Sequence, residues 1–224
     1  MTKRIAIVGR EKQTLNYQKA LDLFPVEYEV TLSTGNLSKF DALLLPGGGD
    51  IDPQLLGEPD KGSKNIDREL DIQQFQALDL FVKSKKPVLG ICKGFQLTEL
   101  YFGAKLIQDL PLPSLHPVRE NGDDSLHMIR SYPLASVLTG FPFPKESFPE
   151  NGMVNSAHHQ GIRKDGRQLY PFQKAEDGIT EAVCHESLPI LAFQWHPERM
   201  LLSADRKLQK TGRLAFTYFF SLLF

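Results

Sequence analysis

The feature that most constrains this chain is an alternation in its first half, where short runs rich in Val, Ile and Leu are separated by longer stretches of helical periodicity. A first strand is predicted over 4–9, then a helix from Leu15 to Phe24, a second strand from Glu27 to Leu32 and a third from Asp41 to Leu45 that stops at Pro46. A helix follows from Ile66 to Val82, closing at Ser84-Lys85-Lys86. It delivers the chain to a strand over Pro87–Ile91 and a further helix over Gly94–Phe102. Strand, helix and strand in succession form the βαβ unit, so the pattern predicts an α/β fold built on a parallel sheet.

The rest of the chain is less regular. Leu110 to Asn151 is rich in Pro and Gly and reads as irregular structure with one strand near Leu126–Ser131. Short strands are expected at Gly152–Asn155, Ile179–Cys184 and Ile190–Gln194, then a loop and a helix over Asp205–Leu223. The length of 224 residues suits one α/β domain over 1–224. A connection of some twenty residues, Gly47 to Asn65, interrupts this economy, and loops of that length inside a compact domain usually carry function.

Composition excludes several function classes. With 41% hydrophobic residues, 15 Phe and a net charge of -1, the chain can bury a large core and has no basic footprint for nucleic acid. The apolar start, Ile5 to Val8, is too short for a signal peptide and reads as a strand. Ala215 to Phe224 falls short of the ~20 residues a bilayer span needs and reads as a terminal helix on the sheet, with no membrane expected. Two cysteines, Cys92 and Cys184, make no disulfide framework, which points to free thiols in the cytoplasm.

Cys92 stands where a strand turns into a helix, at the carboxyl end of the sheet where open α/β folds place their ligands. Gly90 and Gly94, two residues to either side, remove side chains that so tight a turn would not admit. The same spacing around serine makes a nucleophile elbow. The helix beginning after Cys92 and a nearby base can activate the thiol. Phe193-Gln-Trp-His196-Pro-Glu198 supplies the base: the residue before proline is extended, and one two positions on lies on the same side, so Glu198 can orient the His196 ring. Cys92, His196 and Glu198 thus fit the three roles of a triad. The amide of Lys93 and the run Gly47-Gly48-Gly49 are candidate oxyanion donors.

These motifs resemble a family. Leu-Pro46-Gly-Gly-Gly-Asp50-Ile-Asp-Pro53, Gly90-Ile-Cys92-Lys-Gly94-Phe-Gln96, Asn155-Ser-Ala-His158-His-Gln-Gly161 and Gln194-Trp-His196-Pro-Glu198 are similar to motifs of the class I glutamine amidotransferase-like superfamily. Within it they resemble the peptidase C26 branch, the γ-glutamyl-γ-aminobutyrate hydrolases. The resemblance implies a three-layer, flavodoxin-like sandwich with a mainly parallel central sheet. It implies Cys92 as nucleophile, His196 as base and Glu198 as its partner. Oxyanion donors would come from Gly48 or Gly49 and Lys93, with Gln96, Asn155, Ser156 and His158 near a glutamyl head group. The implied reaction forms a γ-glutamyl thioester, expels an amine and releases glutamate, with no metal and no organic cofactor. The partner is a small γ-glutamyl molecule; a homodimer stays open.

Lys93 stands where the branch usually has arginine, and Glu69 where aspartate is common. Two other functions compete with a stand-alone hydrolase: a glutaminase subunit feeding ammonia to a synthase, and a non-catalytic binding or redox-sensing protein. The pairing of His196 with Glu198 speaks against the last, since a sensor thiol has no use for an oriented base. Of the remaining histidines, His158-His159 reads as a pocket wall because no third metal ligand stands at a recognisable spacing. His116, His127 and His185 read as solvated or structural, and Cys184 as a core residue.

Overall fold

A computed structural model describes residues 2–111, 116, 124–134 and 144–223. Part of the irregular stretch expected between Leu110 and Asn151 lies outside the described residues. Nine strands form one sheet: β1 (Lys3–Val8), β2 (Val26–Thr31), β3 (Ala42–Leu45), β4 (Val88–Ile91), β5 (Ser125–Ser131), β6 (Asn151–Ser156), β7 (Leu169–Ala175), β8 (Thr180–His185) and β9 (Ile190–Phe193). Their order is β2-β1-β3-β4-β9-β8-β7-β5-β6. The pairings from β2 to β9 are parallel and those from β9 to β6 antiparallel.

The parallel half explains its own sequence. All of β3 and β4 is buried, as strands covered by helices on both faces must be, and such strands read as continuous apolar runs. Alternate side chains serve opposite faces. Ile5, Ile7 and Leu44 join a core with Trp195, Phe216 and Phe219, whereas Ala6, Val8, Leu43 and Leu45 join one with Ala77, Leu78 and Phe81. α2 (Arg68–Lys83) supplies Ala77, Leu78 and Phe81 on the second face and α5 (Arg206–Ser221) supplies Phe216 and Phe219 on the first. α2 starts where Asp67 Oδ1 accepts the Leu70 N–H at 3.2 Å, and α5 where Asp205 Oδ1 accepts the Lys207 N–H at 2.7 Å, both standard N-caps.

Three elements differ from expectation. α1 (Leu15–Leu21) turns Tyr17, Ala20 and Leu21 to the core and leaves Leu15 about half exposed. β7 has no counterpart in the sequence reading, because Pro171 cannot donate to a ladder and demotes its run. The structure absorbs the proline at a register shift between Pro171 and Gln173. A short helix, α4 (Pro197–Leu201), replaces part of the expected loop; Pro197 sits in its first turn, where no N–H is needed.

The chain leaves β1 for β2 on one side and returns to β3 on the other. The crevice beyond the carboxyl ends of β1 and β3 is therefore a topological switch point. β4 and β9, next in line, end just short of Cys92 and of His196 respectively.

Candidate active site

Cys92 occupies the N-cap position of α3 (Lys93–Tyr101) with φ 53° and ψ -106°. An L-residue avoids that conformation, and strain of this kind persists only where the surroundings impose it. The glycines beside it are sterically obligatory. A Cβ on Gly94 would sit 2.1 Å from the Leu45 carbonyl oxygen, and one on Gly90 2.5 Å from that of Gly94. β3, β4 and α3 thus close around the turn so tightly that the cysteine is pushed outward.

His196 caps α4 and meets Cys92 from the end of β9. Its Nδ1 donates to Glu198 Oε1 at 2.8 Å, and it lines the same cavity as Cys92. With Nδ1 committed to the carboxylate, the nitrogen left for sulfur is Nε2. Both His196 and Glu198 are buried. Burial opposes charge on the ring, but the charges of Glu198 and Cys92 outweigh it and raise His196 from 6.5 to about 10. The second oxygen of Glu198 has no hydrogen-bond partner among the described residues, although Arg199 Nε lies 3.6 Å from the first. Arg199 also pairs with Asp124.

These groups border a cavity of about 500 Å³ lined also by Gln13, Asn16 and Gly47–Gly49. A smaller recess of about 40 Å³ shares Gly48, Gly49 and Cys92 with it and reaches Lys93, Gln96 and His158. Gly47 comes close to the reacting groups: a Cβ there would lie 3.1 Å from Cys92 Cβ and 3.2 Å from His196 Cε1. Its N–H is given to Tyr17 Oη at 2.8 Å, which leaves Gly48 and Gly49 as the glycines available to a ligand. Desolvation pushes the Tyr17 phenol well above its usual range. Sequence reasoning passed over Tyr17; the spacing of Tyr17, Ala20 and Leu21 at i, i+3 and i+4 is the signal that could have found it.

The remaining predicted residues divide. Gln96 lines the recess and donates to Gln194 Oε1 at 3.2 Å. Lys93 is buried with its ammonium 2.6 Å from Asp71 Oδ1, an ion pair that joins α3 to α2. Asn155 and Ser156 line neither chamber. Asn155 Oδ1 instead accepts the backbone N–H of His196 at 3.0 Å, while its Nδ2 donates to Asp124. It positions the imidazole's backbone. His158 lines the recess from one side, but its Nδ1 donates to the Gln160 carbonyl at 2.8 Å.

Of the two alternatives for two other histidines, solvated or structural, burial excludes the first. His116 and His127, read as solvated or structural, are buried, and with His158 they surround Glu181. His159 points elsewhere, to Asp50 at 2.9 Å and Asp109 at 3.1 Å. No spacing along the chain could have shown this cluster, because it is assembled across strands. No helix among the described residues is long and apolar enough to cross a membrane.

Comparison with known proteins gives the family and the fold. The family model described as Peptidase C26 matches residues 20–198. YvdE of Lactococcus lactis subsp. lactis, named for its likeness to glutamine amidotransferases, is 34% identical over 167 residues, 72% of this chain and 67% of that protein. A γ-glutamyl-γ-aminobutyrate hydrolase of Escherichia coli O157:H7 is 31% identical over 172 residues, 72% of this chain and 65% of the hydrolase. The match spans about two thirds of each relative's length. Among solved structures, a glutamine amidotransferase of Thermotoga maritima superposes with TM-score 0.64 at 15% identity, covering 99% of this chain and 96% of its own. A chain of the PurLQS structure of Thermotoga maritima superposes with TM-score 0.68 at 16% identity, covering 100% of each chain. These likenesses establish the fold alone. With the family match spanning most of the chain and the α/β sheet shared with glutamine amidotransferases, the protein belongs to the Peptidase C26 family.

Proposed function

We propose that this protein hydrolyses γ-glutamyl amide bonds through a γ-glutamyl thioester on Cys92. The observation that carries the reading is the left-handed turn at Cys92, which presents the thiol to a buried imidazole held by Glu198 at the edge of a small-molecule cavity. The relatives named γ-glutamyl-γ-aminobutyrate hydrolase support the choice of bond.

In the first half-reaction the thiol proton resides on His196 and the sulfur attacks the γ-carbonyl carbon. Amides of Lys93 and of Gly48 or Gly49 receive the developing oxyanion; one such donor is worth about 10²–10³-fold in rate. His196 passes its proton to the departing nitrogen, the C–N bond breaks and the amine leaves. In the second half-reaction His196 takes a proton from water, the hydroxide adds to the thioester carbon, and the C–S bond breaks to release glutamate. Glu198 holds the ring in one tautomer and balances its charge throughout.

The test is turnover by the purified chain, without any partner, on a panel of γ-glutamyl amines and short γ-glutamyl peptides. Glutamate release by the native chain, lost in Cys92→Ser together with the covalent glutamyl adduct seen by mass spectrometry, is the expected result. Equal turnover by native protein and Cys92→Ser would refute the reading. Glutaminase activity appearing only with an added synthase would assign the same chemistry to an ammonia-supplying subunit.

A further inference from the structure

Beyond the recess lies a second cluster that the proposed hydrolysis does not use. Glu181 on β8 is fully buried, and three imidazoles converge on its Oε1: His116 Nδ1 at 3.3 Å, His127 Nε2 at 3.4 Å and His158 Nε2 at 3.7 Å. His127 comes from β5, and His158 from the turn after β6. All three side chains are withdrawn from water. Among the described residues, neither oxygen of Glu181 and neither nitrogen of His127 has a hydrogen-bond partner. A carboxylate buried in that condition is costly, so the arrangement calls for a positive charge among these groups.

The donor pattern says what kind. A backbone carbonyl can only accept, so the bond from His158 Nδ1 to Gln160 puts the proton on Nδ1 and leaves a lone pair on Nε2, the atom that faces Glu181. His116 Nε2 is likewise turned to Asp177 Oδ2 at 3.2 Å, which leaves Nδ1 to face Glu181. Imidazole nitrogens aimed at a common carboxylate, with His158 anchored behind by a carbonyl and His116 by a carboxylate, are how metal-binding histidines are held.

The distances agree. They exceed the ~2.7–3.2 Å of an N–H···O hydrogen bond. With bonds of ~2.0–2.1 Å to a central ion, the edge of a ligand tetrahedron is ~3.3–3.4 Å. The ligand atoms of His116, His127 and Glu181 lie within 4.8 Å of one another, so small movements suffice to bring them onto one ion.

We propose that His116, His127, His158 and Glu181 form a site for one divalent transition-metal ion, Zn(II) by the chemistry of its donors, which ties β5 and β8 to the recess wall. Imidazoles with one carboxylate select zinc and its neighbours over magnesium or calcium, which prefer oxygen. Four protein ligands in a closed, buried setting give a structural site. The ion would hold the turn carrying Ala157 and His158, which borders both chambers, and would do so whichever bond the protein cleaves.

The experiment is elemental analysis of the native chain after dialysis against Zn(II) and removal of loosely bound ion. One zinc per chain is expected, falling at least tenfold in His127→Ala and in Glu181→Gln and unchanged in His159→Ala. Cys92→Ser controls for the competing thiol and should keep its zinc. Replacement by Co(II) should give the visible bands of a tetrahedral nitrogen and oxygen site, without the near-ultraviolet charge-transfer band of a thiolate. Because content is read on the folded native chain as well, a variant that fails to fold leaves the test intact. Native protein that retains no zinc, or zinc lost with Cys92→Ser and kept in Glu181→Gln, would overturn the assignment and leave a cluster sharing protons instead.

Discussion

At the residue scale the site turns on two hydrogen bonds. Against the opposing effect of burial, Glu198 and Cys92 together raise His196 to about 10 from 6.5, so the charged ring is a feature of the folded state. A group whose folded pKa is raised contributes stability that is fully present below its unfolded value and is lost as pH rises through the folded one. The native chain should therefore lose stability between about 6.5 and 10. Glu198→Gln should flatten that slope, lower the His196 titration followed by NMR, and reduce kcat by up to about 10⁴-fold, as expected when the orienting carboxylate of a triad is neutralised. An unchanged titration would show that Glu198 does not set the charge on the ring. Tyr17 holds the Gly47 amide, and Tyr17→Phe leaves that buried N–H without its partner. The expected cost is ~1–3 kcal/mol by chemical denaturation, with activity falling alongside because the neighbouring glycines lose their anchor.

At the element scale α2 and α3 are joined by the buried pair of Lys93 and Asp71, and Asp71 also accepts the Asp52 N–H at 2.8 Å. Cutting one partner strands the other. Asp71→Ala should cost ~3–5 kcal/mol, or roughly 10 °C in Tm for a chain of this size, whereas Asp71→Leu with Lys93→Met should recover the part due to the stranded ammonium and leave the loss of the acceptor for the Asp52 N–H. A single and a double variant that melt together would show that the charge pair is immaterial. Elements also differed in legibility. β3 and β4 announce themselves because burial on both faces leaves nothing but apolar residues. β7 is concealed by Pro171, whose demotion of a strand holds only until a register shift accommodates it. α1 begins where its pattern begins, at Leu15, but ends at Leu21, short of the Phe24 to which the apolar residues extend.

For the whole molecule, the antiparallel half of the sheet brings Gly166 against α3, where its N–H donates to Glu99 Oε2 at 2.7 Å. Burial lifts the Glu99 carboxyl from 4.5 to about 8. Since the folded pKa is the higher one, this group favours folding below about 4.5 and progressively less as pH rises to about 8. Glu99→Gln should remove that dependence across this window in melting curves; an unaltered profile would mean that Glu99 is ionised in the folded chain. The sequence by itself determined the α/β class, the strand carrying Cys92, the elbow glycines and the nearness of His196 to Glu198. Each of these is a matter of local sterics and period, carried within a few residues. Tertiary structure alone decided that β4 and β9 lie side by side, which brings Cys92 to His196, and that Asn155 serves the His196 backbone. It alone gathered His116, His127, His158 and Glu181 into one cluster. Those meetings depend on strand order and on chain segments far apart in sequence, and no periodicity along a single chain encodes which strands become neighbours.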